Sequence, residues 1–169
     1  MARNVEIKAR GRDFGRQRER AEALASEGPW MLEQTDTFFS CASGRLKLRE
    51  LGPQRGELIH YRRPDQAGPK ASEYSLFVTE QPEALRATLA AALGVRGVVR
   101  KRRTLYLAGQ TRIHLDEVEG LGEFLELEVV LGEGQTVEEG RRIAEKLMGR
   151  LGIEEGDLIE GAYVDMLGR

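Results

Sequence analysis

The chain has 169 residues, 40% hydrophobic and 32% charged, with 26 Lys and Arg against 28 Asp and Glu for a formal net charge of −2. That is one ordinary domain, 1–169, with enough apolar material for a core, and its balance excludes a surface given over wholly to nucleic-acid phosphate. The lone Cys41 excludes a disulfide framework and a thiolate metal cluster, and no apolar run has the length of a membrane span or a signal core, so a cytoplasmic protein is expected.

Residues 4–10 alternate polar and apolar, which predicts a strand with one polar face. Asp13 is placed to cap a helix carrying Phe14, Ala21, Leu24 and Ala25 on one side and stopping at Gly28-Pro29. Strands are predicted over 33–41, 45–51, 57–63 and 72–79, with a hairpin connection at 52–56 and a polar loop at 64–70. Pro82 opens and Gly94 closes a second helix with Leu85, Leu89 and Leu93 on one face. Three further strands, 98–107, 111–118 and 124–131, are joined by short Gly-containing turns. Thr136 with Glu139 forms a capping box for a third helix through Leu151, and Asp157 with Glu160 repeats the device for a short last one. About eight strands, mostly hairpin-linked, and four helices predict an α+β fold: an eight-stranded antiparallel β-barrel with helices packed outside.

The charged residues share strand faces. Arg45, Lys47 and Arg49 alternate with Leu46 and Leu48; Lys101 and Arg103 share a face; Arg112, His114 and Asp116 oppose Ile113 and Leu115; Glu126 and Glu128 oppose Leu125, Leu127 and Val129; Glu6 and Lys8 oppose Val5, Ile7 and Ala9. A solvated outer face is the ordinary place for such charge. Three amphipathic helices, however, need apolar strand faces to cover, and that requirement turns the charged faces inward. An interior so charged holds water or charged ligands. A polyphosphate with a divalent cation complements both signs, since Lys and Arg neutralise phosphate oxygens and carboxylates hold Mg²⁺ or Mn²⁺; a salt-bridge lattice with no ligand is the alternative. His114 reads as an interior hydrogen-bonded His ahead of a metal ligand or general base, Cys41 as a buried small residue, Trp30 and Tyr106 as packing, His60 as a rim residue, and Lys70 as a solvated loop lysine ahead of a phosphate contact.

At these residues the sequence resembles the CYTH family, which includes class IV adenylyl cyclases, thiamine triphosphatases and inorganic tripolyphosphatases. The likeness runs through Asn4-x-Glu6-x-Lys8 against Glu-x-Glu-x-Lys, Asp36-Thr37-Phe38-Phe39 against Asp-Thr-Tyr-Phe, the basic strand 44–50, Arg62 or Arg63 before Pro64, Lys101-x-Arg103-x-x-Tyr106, and the stretch 115–128. The resemblance implies an eight-stranded tunnel in which Glu6, Asp116, Glu126 and Glu128 face metal, with Asp116 either a ligand or an acceptor behind it. Lys8, Arg45, Lys47, Arg49, Arg62, Lys101, Arg103 and Arg112 would hold the triphosphate, and Lys8, Glu6 and Glu128 would be catalytic. It implies Mg²⁺ or Mn²⁺ as cofactor and ATP, thiamine triphosphate or tripolyphosphate as partner, in a monomer or homodimer. Asn4 departs from the pattern by removing one carboxylate, and Phe38 and Phe39 leave no hydroxyl where several triphosphatases carry Tyr. Hydrolysis is the first expected activity and cyclisation of ATP the second. A non-catalytic triphosphate sensor is the third reading, while a single-strand nucleic-acid barrel fits poorly with 6% aromatic residues.

Overall fold

The computed structural model describes residues 2–168. Eight strands, β1 (Ala2–Arg10), β2 (Glu27–Phe39), β3 (Arg45–Gly52), β4 (Arg55–Arg62), β5 (Lys70–Thr79), β6 (Val95–Ala108), β7 (Thr111–Val118) and β8 (Gly122–Val130), form one sheet. It closes as a barrel in the order β1-β5-β4-β3-β2-β6-β7-β8, and every neighbouring pair is antiparallel. Four helices accompany it: α1 (Phe14–Leu24), α2 (Pro82–Leu93), α3 (Val137–Arg150) and α4 (Tyr163–Leu167).

The alternation of residue types decides which face is which. Val5, Ile7, Ala9, Ile113, Leu115, Leu125, Leu127 and Val129 are buried outside the barrel wall, under Phe14 and Ala21 of α1 and Ala144 of α3. Ile143 and Leu147 of α3 pack against the same cluster. Thr136 and Glu139 close the capping box of α3 reciprocally, with Glu139 N to Thr136 Oγ1 at 3.1 Å and Thr136 N to a Glu139 oxygen at 2.6 Å. A second apolar cluster of Phe38, Val99, Val118, Phe124, Ala162, Tyr163 and Val164 fills one end of the barrel.

Several boundaries differ from expectation for identifiable reasons. Helix α1 ends at Leu24 rather than at Gly28-Pro29, because both Ser26 N and Ser26 Oγ bond Leu107 O, at 2.7 and 3.0 Å. That pulls the chain onto the end of β6 and starts β2 early. Asp13 makes no side-chain cap. Cys41 lies beyond β2 and is exposed. Lys70 is a buried first residue of β5, paired in register with Glu6, and not a loop lysine. Asp157 closes a 3₁₀ turn over Glu155–Asp157, and α4 starts later, with Asp165 accepting from Ala162 N at 3.0 Å. Tyr106 is core, whereas Trp30 is 42% exposed.

Candidate functional site

Inside the barrel lies a cavity of about 580 Å³, lined by eight Lys or Arg side chains and six carboxylates. The excess of cations favours an anion as occupant. Even-numbered residues of β1, β2, β5, β7 and β8 and odd-numbered residues of β3, β4 and β6 supply most of the wall. Antiparallel closure puts the starts of β1, β2, β4 and β7 at the same end as the finishes of β3, β5, β6 and β8.

The far end is stoppered by α4 and the residues before it. Tyr163 Oη donates to Asp116 Oδ2 at 2.9 Å, and Lys8 Nζ stands 3.9 Å from the centre of the same ring. Arg63 Nη2 donates to Gly161 O at 2.9 Å. Asp165 takes Arg45 Nη2 and Arg96 Nη2, each at 2.6 Å. The near end is open, and Trp30, Met31 and Leu76 of its rim are exposed.

Asp36 is the centre of the basic wall. Arg49 Nε and Nη2 each donate to it at 2.9 Å, Lys101 Nζ donates at 2.7 Å and Lys47 Nζ lies at 3.6 Å. Burial works against its ionisation, but Arg49, Lys101 and Lys47 hold its carboxyl well below the usual range. Three cations on one carboxylate leave a local excess of positive charge. Burial and the repulsion of Arg49 push Lys47 down to about 7, against the pull of Asp36. Lys8, lowered to about 8 first by burial, makes no ion pair among the described residues.

On the opposite wall the register sets Glu6 beside Glu128 and Lys8 beside Glu126. Adjacent carboxylates repel, and each is met by a base. Arg63 Nη1 donates to Glu6 at 3.0 Å, and Arg103 Nη2 to Glu126 at 3.1 Å. Glu128 has Arg112 Nε at 3.4 Å and His114 Nε2 at 3.3 Å. Desolvation nonetheless raises Glu6, while Lys8 and Arg103 outweigh burial and carry Glu126 well down. Burial takes His114 down to about 3, so it stands neutral beside Glu128.

Of the sequence-predicted residues, the wall brings together Glu6, Lys8, Lys47, Arg49, Lys101, Arg103, Arg112, Glu126 and Glu128. Three others are placed elsewhere. Arg62 is exposed and bonds Ser43 Oγ at 2.8 Å; its neighbour Arg63 is the one inside. Arg45 sits off the wall, tethering Asp165. Asp116 is fully buried behind Arg103, whose Nε and Nη2 it accepts at 2.7 and 2.8 Å. Sequence reasoning placed Asp36 in a motif without a role, offered Arg63 only as the alternative to Arg62, and did not single out Tyr163. Asp36 was visible as the acid facing a basic strand, and Arg63 shares the parity of Ile59 and Tyr61.

No group of three or more His, Cys, Asp or Glu side chains converges on one point among the described residues. The donor chemistry still fits a hard cation, because Asn4 Oδ1 is buried without a partner next to Glu128, whose Oε2 is 3.5 Å from Asn4 Nδ2. That orphan oxygen, with Glu6, Glu126 and Glu128, is the set such an ion would use. Among the described residues, no helix is long and apolar enough to cross a membrane.

Known proteins share this architecture. The chain is 29% identical over 155 residues to the adenylate cyclase CyaB of Aeromonas hydrophila, covering 83% of this chain and 78% of that one. The PH1012 protein of Pyrococcus horikoshii superposes with a TM-score of 0.81 at 26% identity, covering 96% and 98% of the two chains. HpAC1 of Hippeastrum, described as revealing a dominant triphosphatase activity, superposes at 0.61 with 18% identity over 89% and 88%. The CYTH domain model matches residues 2–163, and the chain belongs to the CYTH domain family.

Proposed function

We propose that this protein binds a triphosphate in the barrel cavity and, with a divalent cation, cleaves it by attack of water. The observation that carries the reading is the convergence of Arg49, Lys101 and Lys47 on the single carboxylate of Asp36, with Lys8 unpaired nearby. A cluster so over-supplied with cations in a confined space favours a multivalent anion. Lys47, Arg49, Lys101 and Arg103 fix the chain of phosphates, and Lys8 follows charge onto the leaving oxygen. Glu6 or Glu128 accepts the proton of the attacking water. Glu6, Glu126, Glu128 and the Asn4 side-chain oxygen would hold Mg²⁺ or Mn²⁺, which would supply neutralisation of charge on phosphoryl oxygens. With no hydroxyl at Phe38 and Phe39, the hydroxyl-bearing side chains among the described residues of this wall are Tyr61, Ser72, Tyr74 and Tyr163.

A second reading, attack of a ribose 3′-hydroxyl on the α-phosphorus to give cyclic AMP and pyrophosphate, is favoured by the likeness to the Aeromonas cyclase. The same cations serve it. Incubation with tripolyphosphate, thiamine triphosphate and ATP, with Mg²⁺ or Mn²⁺, separates the two by product: phosphate for hydrolysis, cyclic nucleotide with pyrophosphate for cyclisation. Tripolyphosphate at about 100 times its dissociation constant is expected to add about 2.7 kcal/mol of stability. A melting temperature unmoved by tri-, pyro- and monophosphate, with no turnover, sinks the reading.

A further inference from the structure

The open mouth differs in chemistry from the interior behind it. Trp30 and Leu105 are register partners across β2 and β6, and both line the cavity. Leu76, near the end of β5 at the same rim, is 46% exposed, and Trp30 is 42% exposed. Apolar side chains left wet at the entrance of a charged cavity gain nothing from a bare phosphate chain, which presents only oxygens. They gain from an apolar or aromatic surface laid across them. Just inside, Gln34 and Ser72 line the wall, and Gln34 Oε1 and Ser72 Oγ are buried with no hydrogen-bond partner. Gln34 Oε1, which can only accept, suits a donor on an organic group and not a phosphate, while Ser72 Oγ can donate or accept.

We infer that Trp30, paired with Leu105 and sharing the rim with Leu76, is the specificity residue that stacks on the planar ring of a triphosphate ester entering through this mouth. The inference rests on the triphosphate reading and deepens it: the ring stays at the entrance while its phosphate chain runs inward to Lys47, Arg49 and Lys101. The stopper at the other end, formed by Tyr163 and Ala162, leaves the mouth as the way in. A purine or pyrimidine nucleoside and the thiamine rings share this flat aromatic chemistry, so ATP and thiamine triphosphate are the two probes. Inorganic tripolyphosphate is the probe without a ring.

Trp30 is the only tryptophan in the chain, so its emission reports on the mouth directly. Each probe is titrated calorimetrically and by tryptophan fluorescence, in wild type and in Trp30→Ala and Trp30→Phe, with folding checked by melting temperature. Stacking on an aromatic face predicts an approximately tenfold loss of affinity for at least one ring-bearing probe in Trp30→Ala, recovery in Trp30→Phe, and no change for tripolyphosphate. The same ring-bearing probe should quench wild-type emission. Equal losses for ring-bearing and inorganic probes, or no loss for either, overturn the inference while leaving the triphosphate reading standing. Failure of tripolyphosphate to bind wild type strikes the triphosphate reading itself, and with it this inference.

Discussion

Asp36 shows how much one side chain can hold together. From β2 it holds the buried Lys101 and the half-buried Arg49 and Lys47 in place, and each would repel the others in its absence. Replacing it by Asn keeps the shape and removes the charge, leaving Arg49, Lys101 and Lys47 without their shared counter-ion. Breaking a buried pair from one side costs about 3–5 kcal/mol, so Asp36→Asn should melt well below wild type in the absence of ligand. Tripolyphosphate should restore more stability to this variant than to wild type, since it substitutes for the lost charge. A ligand-induced shift in melting temperature no larger than that of wild type would mean that Asp36 does not organise the anion site. Arg62 and Arg63 teach the complementary lesson. Both precede Pro64, and only the parity of β4 sends one to Glu6 and the other to Ser43.

At the scale of elements, the barrel was legible because the apolar and charged faces of β1, β3, β7 and β8 alternate cleanly and α3 carries an unmistakable cap. The short last helix was legible too, but its start at Tyr163 and its role as a stopper were not: α4 is only five residues long, and Asp165 binds it through Arg45 and Arg96, distant in sequence. The early start of β2 was hidden for a similar reason, since it depends on Ser26 meeting the end of β6. The role of the stopper can be tested at Gly97, where an added Cβ would lie 2.5 Å from Val164 Cγ2. Its backbone is not in the left-handed region, so Gly97→Ala is a purely steric push on α4. Overpacking of this kind costs about 1–3 kcal/mol. Hydrogen exchange should rise over residues 162–167, and Gly97→Ala with Val164→Ala should be less destabilised than the sum of the two single variants. Additivity would show that α4 is not held against β6 as described.

For the whole molecule, the cavity is a reservoir of protons as well as charge. Lys47 faces Asp36 from β2, Arg49 on its own strand, Lys101 from β6 and, farther off, Glu126 from β8. With its folded value lowered to about 7 from about 10.4 in an unfolded chain, it is mostly neutral in the free protein at pH 8. A lowered folded value means that the unfolded chain binds more protons, so this group's contribution to stability is full above the unfolded value and is lost as the pH falls towards 7. A polyphosphate in the cavity reverses the balance, because its charge favours the ammonium form. Binding at pH 8 must therefore draw a proton from solution, and affinity must fall as the pH rises above 7. Calorimetry of tripolyphosphate binding without metal, in buffers of different ionisation enthalpy, reads the proton count as the slope of observed against buffer enthalpy. Wild type should show uptake, and Lys47→Gln should show less. If wild type shows no buffer dependence, or if Lys47→Gln takes up as many protons as wild type, the phosphate chain does not lie against Lys47, and the anion site belongs elsewhere in the barrel.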